Sequence, residues 1–93
     1  MDEMIRVLIL KDGRIIVAKI EEVPSHEIGE PDCAMIDPVL YDPTIGELSK
    51  ALTRFPGKAI TKDTKMAILS DNILTMVTPD TKFLAEYLVT ISD

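Results

Sequence analysis

Two short apolar runs flank the dipeptide Asp12-Gly13 near the start of the chain. Residues 5–10 and 15–23 are rich in β-branched side chains, and Asp-Gly accepts the two positive φ angles of a tight type I′ turn. The pattern therefore predicts an antiparallel β-hairpin. Because residues 15–18 are apolar at consecutive positions, we expect both faces of the second strand to be covered.

The middle of the chain alternates between polar segments and further apolar runs. Residues 24–31 contain two prolines, a glycine and acidic side chains, which is typical of an exposed loop. Residues 33–41 are apolar again, but Pro38 has no backbone N–H, so we predict an irregular strand with a bulge or an edge position there. Residues 47–53 fit either a strand or a short helix with apolar residues at helical spacing, and the pattern alone leaves both open.

The last third of the chain contains two more apolar runs and an amphipathic segment. Residues 64–69 and 73–77 are separated by Ser-Asp-Asn, and this arrangement predicts a second tight hairpin. Thr78-Pro79 is a suitable N-cap followed by proline at the first helical position. Beyond it we predict a helix that packs against the sheet through Phe83, Leu84, Tyr87, Leu88 and Ile91.

The elements together predict a single, mostly β domain over residues 1–93. Strands that follow one another through short turns favour a small, strongly bent antiparallel barrel of about five strands, with a short C-terminal helix. A chain of this size is too short to cover every apolar face of its strands. We therefore expect an open face or edge to be buried in a homo-oligomer.

Composition narrows the class of protein. The chain has 93 residues, of which 46% are apolar and 28% charged, as in ordinary globular domains. Its apolar runs are far shorter than the roughly 18 residues that cross a bilayer, and its start is acidic, so we expect a cytoplasmic protein with no membrane partner. The single cysteine, Cys33, excludes an internal disulfide, and a net charge of −6 argues against bulk electrostatic binding of nucleic acid.

Two segments resemble the Sm and Sm-like (LSm) family of ring proteins. Residues 7–20 (VLILKDGRIIVAKI) are similar to the family's opening hairpin, and residues 66–77 (MAILSDNILTMV) are similar to its closing hairpin. In layout the chain looks closest to the small Sm-like proteins of marine phages. The resemblance implies a bent barrel, a strand over residues 47–53, and strand pairing between subunits in a homo-oligomeric ring of about five to seven copies.

The same resemblance locates a candidate base pocket. In the family, an Asp-x-x-Met-Asn loop meets an Arg-Gly turn, the asparagine reading a uracil edge and the arginine bracing the base. Here Asp32 and Met35 keep the spacing, but Ile36 replaces the asparagine and a Ser-Asp pair replaces Arg-Gly. These departures argue against a uridine-specific pocket of the usual kind. The nearby Asn72 could read a base edge or could serve the backbone of its turn.

Charge is distributed unevenly along the chain. Residues 50–65 contain five basic side chains and one acidic side chain, a net charge of +4, which leaves −10 on the rest. An aromatic ring among cations suits single-stranded nucleic acid, because the cations contact phosphates and the ring stacks on bases. A solvated loop with its phenylalanine in the core is the other interpretation. The candidate RNA contacts are Lys50, Arg54, Phe55, Lys58, Lys62 and Asn72.

The remaining polar residues do not form a recognisable catalytic or metal motif. The acidic segment of residues 21–32 could bind a divalent cation or a basic partner, but it lacks EF-hand spacing and fits a solvated loop. His26 and Cys33 are too few for a zinc site, and the scattered glycines form no phosphate-binding motif. We therefore expect a protein that is not an enzyme and needs no cofactor or metal.

The resemblance implies a non-enzymatic RNA-binding scaffold or chaperone. The alternative is a structural or protein-interaction ring that binds no nucleic acid, and the acidic net charge favours it.

Overall fold

A computed structural model describes residues 4–22, 33–57 and 59–92. Six antiparallel strands form one sheet, and a helix near the end of the chain covers one of its faces. The predicted class, mostly antiparallel β with a C-terminal helix, is confirmed. The elements are β1 (Ile5–Leu10), β2 (Ile15–Glu22), β3 (Cys33–Tyr41), α1 (Leu48–Ala51), β4 (Leu52–Arg54), β5 (Lys65–Ile68), a 3-10 turn (Ser70–Asn72), β6 (Ile73–Val77) and α2 (Thr81–Ser92).

The sheet bends at the middle of β3. Its strand order is β4-β3-β2-β1-β6, with β5 also paired to β3. β2 pairs with both halves of β3, so β4 and β5 share its opposite edge. Between them Asp37 has a φ of 51° and precedes Pro38, which cannot donate a ladder hydrogen bond. The predicted irregular strand is confirmed, and the sheet is not closed within the described residues.

The first hairpin forms as predicted, but its turn differs. Only Gly13 has a positive φ, of 94°, and Leu10 accepts a hydrogen bond from the Gly13 N–H and donates one to the Arg14 carbonyl. This is a three-residue loop ending in a glycine bulge, so the type I′ prediction is wrong. The Asp12 carboxylate explains the difference, because it accepts the Arg14 backbone N–H at 3.0 Å and stabilises a turn with one positive φ.

The prediction of a second hairpin is wrong. β5 pairs with β3 and β6 pairs with β1, so these consecutive strands lie on different edges of the bent sheet. The 3-10 turn carries the chain between the two edges, and its Asn72 N–H donates to the Leu69 carbonyl at 3.0 Å. A turn signal in the sequence shows where the chain reverses but not which strand the next one joins, and here β1 is the partner.

Residues 47–53 contain both elements that their pattern allowed. Helix α1 occupies Leu48–Ala51, and only Leu52–Arg54 form the strand that the resemblance implied. The α1 residue Ala51 is 1% exposed, so its side chain is part of the packed interior. The strand prediction is therefore wrong for the first half of the segment.

Helix α2 forms as predicted but begins after Asp80 instead of Thr78. The Asp80 carboxylate accepts the Lys82 backbone N–H at 3.3 Å, and its carbonyl accepts the Leu84 N–H at 2.8 Å. Asp80 is therefore the N-cap, since its side chain satisfies one of the donors that a helix start leaves unpaired. Pro79 precedes the cap and is not the first helical residue.

Both faces of the sheet are covered, as the apolar run in β2 predicted. Val17 belongs to the cluster under α2 and Ile16 to the cluster on the opposite face, and both are fully buried. Tyr87 anchors α2 to the first cluster, and its hydroxyl donates to the Asp37 carbonyl at 2.9 Å. The prediction that the helix packs on its own sheet is confirmed for Phe83, Leu84, Tyr87 and Ile91. It is wrong for Leu88, which is 44% exposed.

Candidate nucleic-acid interface

Phe55 lies where the chain leaves β4 at the bend of the sheet. Its backbone N–H donates to the Pro38 carbonyl at 3.0 Å, and its half-buried ring packs against the cluster that faces away from α2. The guanidinium carbon of Arg14 lies over this ring, 5.5 Å from its centroid. Phe55 is therefore partly a core residue and partly one member of a cation–π pair.

Arg14 is held in place by the turn from which it extends. Its Nε donates to Asp12 Oδ2 at 2.8 Å, while its backbone N–H donates to Oδ1 of the same carboxylate. The backbone hydrogen bond from Arg14 is the main cause of a lowered pKa for Asp12. Desolvation opposes it, and the side-chain hydrogen bond and charge of Arg14 lower the pKa further. Sequence reasoning missed Arg14 because no local signal connects it with an aromatic residue in a distant segment.

A cleft of about 410 Å³, here called the larger cleft, opens beside this pair. It is lined by the first turn, the inner face of the sheet, β5 and the 3-10 turn. Its apolar lining consists of Leu10, Ile16, Met35, Phe55, Met66, Ala67 and Ile68, and its polar lining consists of Lys11, Asp12, Arg14 and Asn72.

Asn72 serves the backbone of its turn, which is one of the two roles that the sequence left open. Its backbone closes the 3-10 turn, and its carbonyl accepts the Lys11 N–H at 2.9 Å, which ties this turn to the first one. Its exposed side chain lines the larger cleft beside Lys11 and Arg14. An amide with donors and an acceptor therefore lies next to two cations.

A second cleft of about 320 Å³, here called the smaller cleft, shares Phe55 with the larger one. Arg54, Lys62 and Asp63 supply its charged lining, and Pro38, Pro56, Gly57, Thr61 and Thr64 complete it. Of the predicted contacts, the structure thus groups Phe55 with Arg54 and Lys62 in one cleft and with Asn72 in the other. Lys62 is exposed.

Arg54 and Lys50 are engaged by other groups of the same subunit. Arg54 donates from Nη2 to the Ile91 carbonyl at 2.6 Å, and its Nη1 lies 3.5 Å from Asp37 Oδ1. Lys50 lies on α1, outside the lining of both clefts, with its Nζ 3.2 Å from Glu47. Lys58 lies outside the described residues.

The residues that resemble the family's base pocket differ in exposure and in their contacts. Met35 is 4% exposed in the floor of the larger cleft, and the Ile36 backbone carbonyl accepts a long hydrogen bond from the Tyr87 hydroxyl. Asp71 is exposed in the 3-10 turn. Asp32 lies outside the described residues.

The structure also places part of the acidic segment. Glu21 forms an ion pair with Lys65 at 3.2 Å, whereas His26 and residues 23–32 lie outside the described ranges. Among residues 4–22, 33–57 and 59–92, no group of three His, Cys, Asp or Glu side chains is arranged to hold a metal ion. Cys33 is a buried thiol.

The fold and its two clefts define a small antiparallel β domain with a capping helix and an aromatic residue among cations. The chain belongs to DUF6561, a family of unknown function whose sequence profile matches residues 3–92. No curated protein matches the chain. In the part of the chain that the structure describes, no helix is both long and apolar enough to cross a membrane.

Proposed function

We propose that this chain is a subunit of a non-enzymatic, Sm-like ring that binds single-stranded RNA as a scaffold or chaperone. The observation that carries the proposal is the position of Phe55, whose ring lines both clefts between Lys62 and Arg54 on one side and Arg14 and Asn72 on the other. Single-stranded nucleic acid is bound by this combination of aromatic rings and cations.

The charges of the two clefts set the expected strength of binding. Lys11, Arg14 and Lys62 can contact phosphates, but Asp12 and Asp63 offset part of that charge. Arg54 contributes less to RNA binding than its sequence position suggests, because its guanidinium is engaged by Asp37 and by the Ile91 carbonyl of α2. A single subunit should therefore bind weakly, and repetition of the site around a ring would raise the avidity.

The free edges of the sheet support assembly into such a ring. Within the described residues, β6 pairs on one side with β1 and has no strand on its other side. Its apolar side chains are nevertheless exposed, Leu74 at 67%, Met76 at 44% and Val77 at 45%. An apolar edge strand left open to water favours pairing with another chain, and the free edge of β5 offers a complementary partner.

A protein-interaction ring that binds no RNA is the second candidate. The net charge of −6 favours it, as do the ion pairs that engage Lys50 and Arg54 within the subunit. The two candidates share the ring and differ in what the clefts bind.

Titration of labelled U-rich and A-rich single-stranded RNAs, at low and physiological salt, tests the proposal. We expect binding that weakens as the salt concentration rises. Lys62→Ala should lower the slope of log affinity against log salt concentration by about 1 for each subunit contact. Lys82→Ala, which removes an exposed cation on α2 away from both clefts, is the matched control and should leave the slope unchanged. No binding at low salt would contradict RNA binding and favour the protein-interaction ring.

A further inference from the structure

We infer that the larger cleft is a subsite for one unpaired nucleobase with its attached phosphate. This inference rests on the proposed RNA-binding function and names the site that performs it. It shares Met35 and Asn72 with the region that the sequence resemblance indicated, but the first turn and Phe55 form the rest of its polar and aromatic lining.

The floor of the cleft suits a flat, weakly polar ring. Leu10, Ile16 and Met35 are each at most 4% exposed, and Met66 and Ile68 of β5 close one wall. A volume of about 410 Å³ lies within the range of small-molecule sites, which are mostly apolar with few polar groups. The thioethers of Met35 and Met66 are polarisable and adapt to aromatic rings.

The rim of the cleft supplies the groups that a nucleotide needs beyond its base. Lys11 and Arg14 are cations for the phosphate, and the Asn72 amide offers both donors and an acceptor for a base edge. The planar guanidinium of Arg14, already over the Phe55 ring, presents a further stacking surface.

Charge and position argue for a base rather than a free anion. The Asp12 carboxylate lies on the rim beside Arg14, so the charges of Lys11, Arg14 and Asp12 sum to only +1. A free phosphate would meet one cation in excess and an apolar floor that it cannot use. A nucleotide uses both the excess cation and the apolar floor, because its phosphate lies at Lys11 and its base lies on the floor.

The five methionines of the chain make a direct test possible. In the full protein labelled with 13C at the methionine methyl groups, Met35 and Met66 report on the floor of the cleft. Met4 and Met76 are 55% and 44% exposed outside it and serve as internal controls. Titration with uridine and adenosine 5′-monophosphates, and then with short single-stranded RNA, should shift the two floor methyl groups and leave Met4 and Met76 in place.

Variants of the cleft provide the second arm of the test. Phe55→Leu keeps an apolar side chain but removes the ring, and we expect RNA affinity to fall about tenfold. Arg14→Lys keeps the charge but loses the planar group, and it should weaken binding less. Lys82→Ala is again the control. Chemical shifts of the sheet residues establish that each variant is folded.

The outcomes separate this inference from the proposed function. If RNA binds but the Met35 and Met66 signals do not move and Phe55→Leu binds as tightly as the wild type, the subsite is refuted while RNA binding stands. Nucleotide shifts confined to Met4 or Met76 would equally refute the subsite. Absence of RNA binding under all conditions would refute the proposed function itself.

Discussion

Arg54 shows how a residue that looks like an RNA contact can instead hold the fold together. Its guanidinium joins the end of α2, through the Ile91 carbonyl, to Asp37 at the bend of β3, and its side chain is 25% exposed. Arg54→Met keeps most of the apolar stem but removes these contacts. We expect the free energy of unfolding to fall by roughly 1 to 3 kcal/mol, because a carbonyl and a carboxylate lose a charged donor.

Urea unfolding followed by circular dichroism measures this loss, and Lys50→Met is the matched control. Lys50 pairs with Glu47 one helical turn away, and the two side chains are 77% and 60% exposed. Such a pair contributes at most about 0.5 kcal/mol. Equal losses for the two variants would contradict the structural role of Arg54.

Ionisation of Asp12 should make the stability of the fold depend on pH. Hydrogen bonds from Arg14 lower its folded pKa below the ordinary value of 3.8, so ionised Asp12 stabilises the fold above that pH. This contribution is lost as the pH falls through the lowered pKa. Asp12→Asn keeps an oxygen to accept the Arg14 backbone N–H but cannot ionise.

The thermal midpoint of Asp12→Asn should therefore lie below that of the wild type at pH 7, and the difference should shrink below about pH 4. Thermal unfolding at matched ionic strength from neutral to acid pH measures it. A difference that stays constant over that range would show that the charge of Asp12 has no part in the turn.

At the residue scale, the sequence allows single side chains to be selected as candidates but does not show which side chains they contact. Phe55 could be selected because cations surround it in the sequence. Arg14, which lies over its ring, could not be, since only the bend of the sheet brings the first turn to that position. The role of Arg54 likewise depends on where α2 ends.

At the scale of elements, Tyr87 is the fully buried side chain by which α2 contacts the sheet. Tyr87 is fully buried between the helix and the sheet, and its hydroxyl donates to the Asp37 carbonyl at the position of positive φ. Tyr87→Phe should cost about 1 kcal/mol for the lost hydrogen bond, and Tyr87→Ala about 3 to 5 kcal/mol because it adds a cavity.

Chemical denaturation distinguishes these values, and Tyr41→Phe is the control. The Tyr41 ring packs edge to face on Phe83, with centroids 5.2 Å apart, and phenylalanine preserves that packing. If Tyr87→Phe were no more destabilising than Tyr41→Phe, the hydroxyl would not be the anchor that the structure indicates.

The two hairpin predictions show which strand pairings are determined by adjacent residues. β1 and β2 are joined by a turn whose own side chain closes it, so their pairing could be predicted from adjacent residues. β5 and β6 are equally close in sequence but pair with β3 and β1. Their partners depend on the bend at Asp37, and a positive φ at an aspartate in an apolar run leaves no clear signal in sequence.

At the scale of the whole molecule, the described part of the sheet has open edges. The sequence predicted that a short chain would bury an open edge in a homo-oligomer, and β6 is an open edge that carries exposed apolar side chains. Fold class and the covering of both sheet faces could be predicted from apolar patterning. The clefts could not, because residues from the first turn, β3, β5 and the 3-10 turn line the larger one.

The β6 edge gives a prediction about assembly. Leu74→Lys places a charge on the apolar edge strand, and we expect it to shift the protein to a folded monomer of 10.3 kDa. Val89→Lys makes the same change on α2, where Val89 is 59% exposed, and should leave the assembly intact. Circular dichroism verifies that both variants are folded.

Native mass spectrometry of the wild-type protein at micromolar concentration tests the ring most directly. We predict one closed particle of about five to seven subunits, which Leu74→Lys dissociates and Val89→Lys does not. A wild-type protein that is monomeric under these conditions, or an assembly equally stable in Leu74→Lys, would contradict it.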